Sequence, residues 1–271
     1  MTRSADILEL VSAMKAKGAP FALATVVRTV SVTAAKAGAK AVILPDGTIT
    51  EGWIGGGCAR AAVLKAAKEA LADGHVKLVS IQPQDLLDEQ GVAPGEEREG
   101  VRFAKNSCPS QGTMDIFVEP VLPKPEIVIC GSSPVAVAIA DLGRRLGFSM
   151  TACAPAAEQG AFAEADKRIE GYALPVAHDG ARYIVVSTQG KGDEAALEAA
   201  LAVDADYVAF VGSRRKADSL KAKLAGRADP ARLAALRCPA GLDLGAITPE
   251  EIALSIVSEI VQLRRRGQRT P

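Results

Sequence analysis

The stretch Gly52-Trp53-Ile54-Gly55-Gly56-Gly57-Cys58-Ala59-Arg60 constrains this chain more than any other. It joins an apolar, strand-like run at 48–54 to an alanine- and lysine-rich helical pattern at 59–71. Three consecutive glycines permit positive φ and let the backbone approach a ligand with no Cβ in the way. The helix start behind them offers N–H groups and the positive end of a macrodipole to an anion. A thiol at such a junction has its thiolate form favoured. The stretch therefore reads as an anion-and-thiol site, with Gly55, Gly56 and Gly57 as the cradle and Cys58 as the reactive group. The competing reading is a small residue filling a tight turn.

Around this loop the N-terminal half reads as mixed α/β. Ser4 caps a first helix carrying Ile7, Leu8, Leu10, Val11 and Met14, ended by Gly18. Residues 21–30 are β-branched and apolar, a buried strand. The segments 39–44 and 48–54, joined by Pro45-Asp46-Gly47, read as a hairpin leading into the glycines. A helix over 59–72 and a strand over 75–81 follow. Residues 82–111 then break the rhythm, with Pro83, Pro94 and the charged cluster Glu96-Glu97-Arg98-Glu99, and are expected to form a long functional loop. Its end, Asn106-Ser107-Cys108-Pro109, holds a second candidate thiol, Cys108. Lys36 and Lys40 are either site cations from the neighbouring segment or surface lysines. A strand over 113–118 precedes Pro120, Pro123 and Pro125, which mark a domain boundary, giving domains 1–122 and 123–271.

Beyond the prolines, strands at 126–130, 148–153, 182–187 and 207–211 alternate with helices, which predicts an α/β domain with a parallel sheet covered on both faces. Its first turn, Gly131-Ser132-Ser133-Pro134-Val135-Ala136, occupies the place of a dinucleotide fingerprint. The second glycine is replaced by Ser133, and the next strand ends in Cys153-Ala154-Pro155 instead of a ribose-binding acid. NAD(P) binding is therefore disfavoured, while Ser132 and Ser133 remain phosphate-binding candidates. Gly212-Ser213-Arg214-Arg215-Lys216 also follows a strand and opens a helix, suiting a phosphate or pterin side chain as well as it suits a solvated helix start. Gly241-Leu242-Asp243-Leu244-Gly245-Ala246 reads as a structural turn. Thr248-Pro249-Glu250-Glu251 starts the final helix.

Composition limits the function classes. Lysine plus arginine and aspartate plus glutamate number 32 each, so no basic field points to nucleic acid. Five scattered cysteines without a C-x-x-C pair, and two histidines, supply neither a zinc site nor a disulfide framework. No secretory signal and no uninterrupted apolar run of about 18 residues is read, and a cytoplasmic location is expected.

The run Ala39-Lys40, Asp46-Gly47 and Gly55-Gly56-Gly57-Cys58 resembles the N-terminal motif of the XdhC/CoxI family. The likeness extends through Gly131, through 207–216 and through 241–253. The Cys108-Pro109-Ser110-Gln111-Gly112-Thr113 segment and the Cys-Ala-Arg ending are most similar to the form associated with carbon monoxide dehydrogenase. Departures are Arg60 where the family has glutamate, and Val30-Ser31-Val32-Thr33-Ala34 where it has a proline and an arginine. The resemblance implies an N-terminal α/β domain followed by a Rossmann-like domain, commonly dimeric. It implies an accessory factor, rather than a turnover enzyme, that binds the molybdenum–pterin cofactor or its cytosine dinucleotide form. Such a factor assists cofactor sulfuration and insertion into an apo molybdenum hydroxylase such as xanthine dehydrogenase, with a cysteine desulfurase as a further partner. Carried onto this chain, the family's glycine–cysteine motif falls on Gly56, Gly57 and Cys58, and its glycine–serine–arginine motif on Gly212, Ser213 and Arg214. Cys58 is then the expected molybdenum ligand or sulfur relay. An NAD(P)-dependent oxidoreductase and an assembly scaffold docking through 82–111 are the alternatives.

Overall fold

A computed structural model of the chain describes residues 4–109, 111–176 and 180–265. Two compact units divide at Pro123/Lys124. The first is built on a seven-stranded mixed sheet. Helix α1 (Ser4–Lys17) leads into β1 (Phe21–Val30), β2 (Lys40–Ile43) and β3 (Ile49–Gly52). Helix α2 (Gly57–Asp73), β4 (Lys77–Gln82), a short α3 (Gln84–Glu89), β5 (Glu97–Arg98), β6 (Val101–Lys105) and β7 (Thr113–Val121) complete it. The strand order is β3-β2-β1-β7-β4-β6-β5.

Alternation along β1 sorts the two faces. Ala22, Ala24 and Val26 join Ile116, Val118, Val79 and Ile81 beneath Val63, Ala67 and Ala70 of α2. Phe21 points the other way and packs with Val42 and Ile7 of α1. The β2–β3 hairpin closes at 45–48, where the Thr48 N–H donates to Asp46 Oδ1 (2.8 Å) and the Gly47 N–H to the Leu44 carbonyl (2.9 Å). Gly74 ends α2 in a left-handed conformation, its N–H bonded to the Ala70 carbonyl.

The expectation of a long unstructured loop at 82–111 is corrected. Three elements lie inside it, and β6 pairs in parallel with β4 from Leu78↔Val101 to Gln82↔Lys105. These strands are short and at least partly exposed, so they lack the continuous apolar run that announces a buried strand.

The second unit is a five-stranded parallel sheet in the order β10-β9-β8-β11-β12. Its strands are β8 (Glu126–Cys130), β9 (Ser149–Ala154), β10 (Lys167–Glu170), β11 (Arg182–Val186) and β12 (Tyr207–Phe210). Helices α4 (Pro134–Arg145) and α8 (Pro249–Arg264) cover the face bearing Ile127, Ile129, Met150 and Val185. Helices α5 (Asp193–Leu201) and α6 (Arg214–Leu224) cover the face bearing Val128, Cys130, Ile184 and Val186. The short α7 (Pro230–Ala235) and the polar edge strand β10 are not announced by the sequence. A buried ion pair, Arg182 Nε to Glu126 Oε2 at 3.0 Å, ties the starts of β11 and β8. Thr248 and Glu251 form a reciprocal capping box on α8, which holds the Glu251 carboxyl below its usual range through the backbone N–H groups of Thr248 and Ile247. Among the described residues no helix is long and apolar enough to cross a membrane.

Candidate functional site

The glycine loop is shaped by its neighbours. Sheet pairing continues one residue past β3, with the Trp53 N–H donating to the Lys40 carbonyl (2.9 Å), and Ile54 is fully buried. Gly55 then turns at φ +106°, and a Cβ there would come within 3.3 Å of both Ala59 Cβ and Met114 Cε. Only glycine lets the chain pass beneath the start of α2 at this point. Gly56 is the N-cap in extended conformation and, being glycine, supplies no side-chain cap to the first N–H groups of the helix. Cys58 is the second residue of α2; its side chain, and with it the thiol and metal roles expected of it, lies outside the described residues. Arg60 is exposed.

A cavity of about 370 Å³ opens against this loop, its described lining residues all belonging to the first unit. Gly56, Gly57 and Ala59 form one wall, and Thr33 and Ala34, from the segment after β1, form another. Ile81 and Met114 supply an apolar floor, and Asn106, Ser107 and Cys108 close the remaining side. The structure thus brings the second candidate thiol, Cys108, to the same cavity as the glycines. Its backbone is positioned by Asn106: the Cys108 N–H donates to Asn106 Oδ1 (2.9 Å), and Asn106 Nδ2 donates to the Gly112 carbonyl (2.6 Å). The Asn106 N–H in turn donates to the Gln82 carbonyl (2.6 Å), which fixes the loop to the end of β4. Sequence reasoning singled out Cys108 but not Asn106, although an asparagine's tendency to bond the backbone two residues on is a signal that could have found this turn. Thr33 and Ala34 carried no comparable signal. Lys36 and Lys40 do not line the cavity; Lys40 Nζ donates to Thr25 Oγ1 (3.0 Å) along the sheet.

The candidates of the second unit are a separate group. At the Gly131 turn, φ is +110° and a Cβ would stand 2.5 Å from the Ser187 carbonyl oxygen, so glycine is required where the chain leaves β8. Ser133 is buried; its hydroxyl caps α4 by accepting the Ala136 N–H (3.1 Å) and shares a hydrogen bond with the Ser187 hydroxyl (2.6 Å). The Ser132 hydroxyl donates to the Glu158 carboxylate. Ser213 caps α6 by accepting the Lys216 N–H (3.3 Å), while Gly212 and Arg214 flank it at the carboxyl edge of the sheet. Lys216 Nζ pairs with Asp193 and lies 5.5 Å from the centre of the Phe210 ring. Asp193 also accepts from Thr188 and from the Gly190 N–H (2.9 Å). Burial alone would raise its carboxyl, but the bonds from Lys216, Thr188 and Gly190 prevail and hold it below the ordinary range.

Cys130 and Cys153 are buried register partners on β8 and β9, and the Cys130 thiol is pushed well up by its neighbour Cys153 and by burial. Cys238 donates to the Gly212 carbonyl (3.4 Å), and its thiol is raised by burial. The Gly241 turn is structural: its N–H donates to Glu259 Oε2 (2.9 Å), which also accepts the Tyr207 hydroxyl (2.6 Å). Among the described residues no group of three or more histidine, cysteine, aspartate or glutamate side chains is assembled to hold a metal ion.

Two family models match this chain: the XdhC and CoxI family over residues 14–82, and the XdhC Rossmann domain over residues 127–260. A probable xanthine dehydrogenase subunit from Bacillus subtilis (strain 168) is 30% identical over 164 residues, covering 57% of this chain and 47% of its own length. The uncharacterized protein YqeB of Escherichia coli (strain K12) is 25% identical over 274 residues, covering 94% of this chain and 45% of its own length. The chain thus spans a little under half the length of these curated relatives. A crystal structure of a xanthine dehydrogenase from Bacillus halodurans aligns over 97% of this chain and 98% of its own, at 19% identity and a TM-score of 0.47. The first match holds the glycine loop and the second all but the first residue of the parallel sheet, and together they place this chain in the XdhC and CoxI family.

Proposed function

We propose that this chain is an accessory factor for a molybdenum hydroxylase, holding the molybdenum–pterin cofactor or its cytosine dinucleotide form for sulfuration and insertion into the apo-enzyme. The observation that carries the reading is the cavity shared by the glycine loop and Cys108. Its parts fit the group. A wall of glycine backbone at a helix start whose N-cap is glycine suits a phosphate. An apolar floor suits a flat ring, and thiolates are soft donors of the kind such metals take. When bound, the cofactor would supply the oxo-transfer chemistry of the enzyme it is destined for. This chain's own residues bind and orient it: Gly55, Gly56 and Gly57 receive the phosphate, Cys58 serves as metal ligand or sulfur relay, and Cys108 stands on the facing wall. In the second unit Gly212, Ser213 and Arg214 are separate candidates for an anionic group, while the hydroxyls of Ser132 and Ser133 are engaged by Glu158 and Ser187. The partners in this reading are an apo-enzyme of xanthine or carbon monoxide dehydrogenase type and a cysteine desulfurase, with the chain acting as a homodimer.

The test is anaerobic purification with molybdenum and pterin analysis, on the wild type and on Cys58→Ala. The wild type is expected to retain both, and the variant to lose at least nine-tenths of the molybdenum. A wild type that carries neither metal nor pterin removes the reading.

A further inference from the structure

We propose that Trp53 is a stacking platform for the planar ring of the ligand held at the glycine loop, an inference that rests on the pterin reading and narrows it to one side chain. Trp53 is the chain's single tryptophan, yet it is 55% exposed, whereas the next residue, Ile54, is fully buried. A ring of this size is ordinarily worth burying, and leaving it in water forgoes the largest apolar contribution a side chain can make. Its position is not left to chance. The Trp53 N–H is bonded to the Lys40 carbonyl at 2.9 Å, which fixes the backbone from which the ring projects.

The ring reaches the loop itself: its Cη2 atom lies 3.8 Å from where a Cβ on Gly56 would stand. Gly56 is also a wall of the 370 Å³ cavity, so the half-exposed indole neighbours one of the cavity's own wall residues. Pockets of this volume accept a bicyclic ring, and an aromatic face exposed beside one is the usual partner for a flat heterocycle. The absence of a Cβ at Gly56 thus has two effects. It bares the loop backbone toward a phosphate and leaves the space between that backbone and the indole edge unfilled.

The single tryptophan makes the inference measurable on the intact chain. Pterin-6-carboxylate is titrated into the wild type, Trp53→Ala and Trp53→Phe, with binding read from the probe's own fluorescence anisotropy and stacking from tryptophan emission. The wild type is expected to bind with saturable quenching, Trp53→Phe to stay within about threefold, and Trp53→Ala to bind about tenfold more weakly. Circular dichroism should show all three equally folded, since the ring is half exposed. Inorganic phosphate alone should leave the emission unchanged. If Trp53→Ala binds the probe as the wild type does, the stacking role is overturned while the pterin reading stands. The stacking role is equally overturned if that variant loses only its association with the molybdenum enzyme, which would make the ring a protein contact. If the wild type does not bind the probe, the pterin site and the platform fall together.

Discussion

Asn106 governs one wall of the cavity through two hydrogen bonds of opposite direction. Its carboxamide oxygen takes the Cys108 N–H and its nitrogen gives to the Gly112 carbonyl, so the intervening thiol is carried on a closed turn. Gly112 has no room to compensate by moving inward, because a Cβ there would stand 2.2 Å from the Val32 carbonyl oxygen. Asn106→Ala should therefore open the turn rather than collapse it. The expected cost is about 1–3 kcal/mol, since the Cys108 N–H lies at the surface while the buried Gly112 loses a partner for its carbonyl. Urea unfolding should show that loss, and peptide mapping after brief alkylation should show faster labelling at Cys108. Unchanged labelling would mean that the turn is held by Gln111 and its bond to the Cys108 carbonyl instead.

At the scale of elements, the legible parts were those whose signal is local. The run 21–30 became β1 residue for residue, and the strand–helix alternation after the prolines became the parallel sheet, because buried strands and amphipathic helices carry their periodicity in the chain itself. Edge strands carry no such signal. Lys167–Glu170 and Glu97–Arg98 are polar and exposed, and only their neighbours make them strands. The glycine loop was legible for the same reason that β1 was. The meeting of Cys108 with that loop was not, since it depends on β6 lying parallel to β4 and on β7 returning beside it. The junction of α5 and α6 offers a further case. Asp193 opens α5 and accepts from Thr188, Gly190 and Lys216, the last from the start of α6. Its carboxyl is held below its unfolded value of about 3.9, so the stability it contributes is present above that pH and lost as pH falls through the lower, folded value. Asp193→Asn is expected to cost about 2 kcal/mol at pH 7, a charged hydrogen-bond network being lost. The wild type's advantage should shrink steadily below pH 4. Parallel denaturation curves from pH 7 to pH 2.5 would reveal this convergence; a constant gap between the two proteins would show that the carboxylate's charge is not what links the helices.

For the whole molecule, what matters is that each unit closes its own core. The clusters beneath α2 and beside α1 draw only on residues up to Val121, and the two around the parallel sheet only on residues from Ile127 onward. The break between them falls at Pro123/Lys124, within the run of prolines. Each unit is long enough to bury a core worth roughly 5–15 kcal/mol of stability. Residues 1–123 and 124–271, expressed separately, should therefore each unfold in a single cooperative transition with dispersed amide spectra. The cavity adds a functional arm to the same experiment, because every described residue lining it falls between Thr33 and Met114. The 1–123 fragment is expected to bind pterin-6-carboxylate within a few fold of the intact chain and to quench Trp53 as it does. The 124–271 fragment should show no binding of NAD or NADP. A nucleotide entering its first turn would meet the Glu158 carboxylate on Ser132 and a Ser133 hydroxyl already shared with Ser187. Should the 1–123 fragment fold yet lose the pterin that the intact chain binds, the glycine cavity is overturned as a self-sufficient site. Folding with binding would assign the ring to the glycine cavity, whose described lining the fragment carries whole.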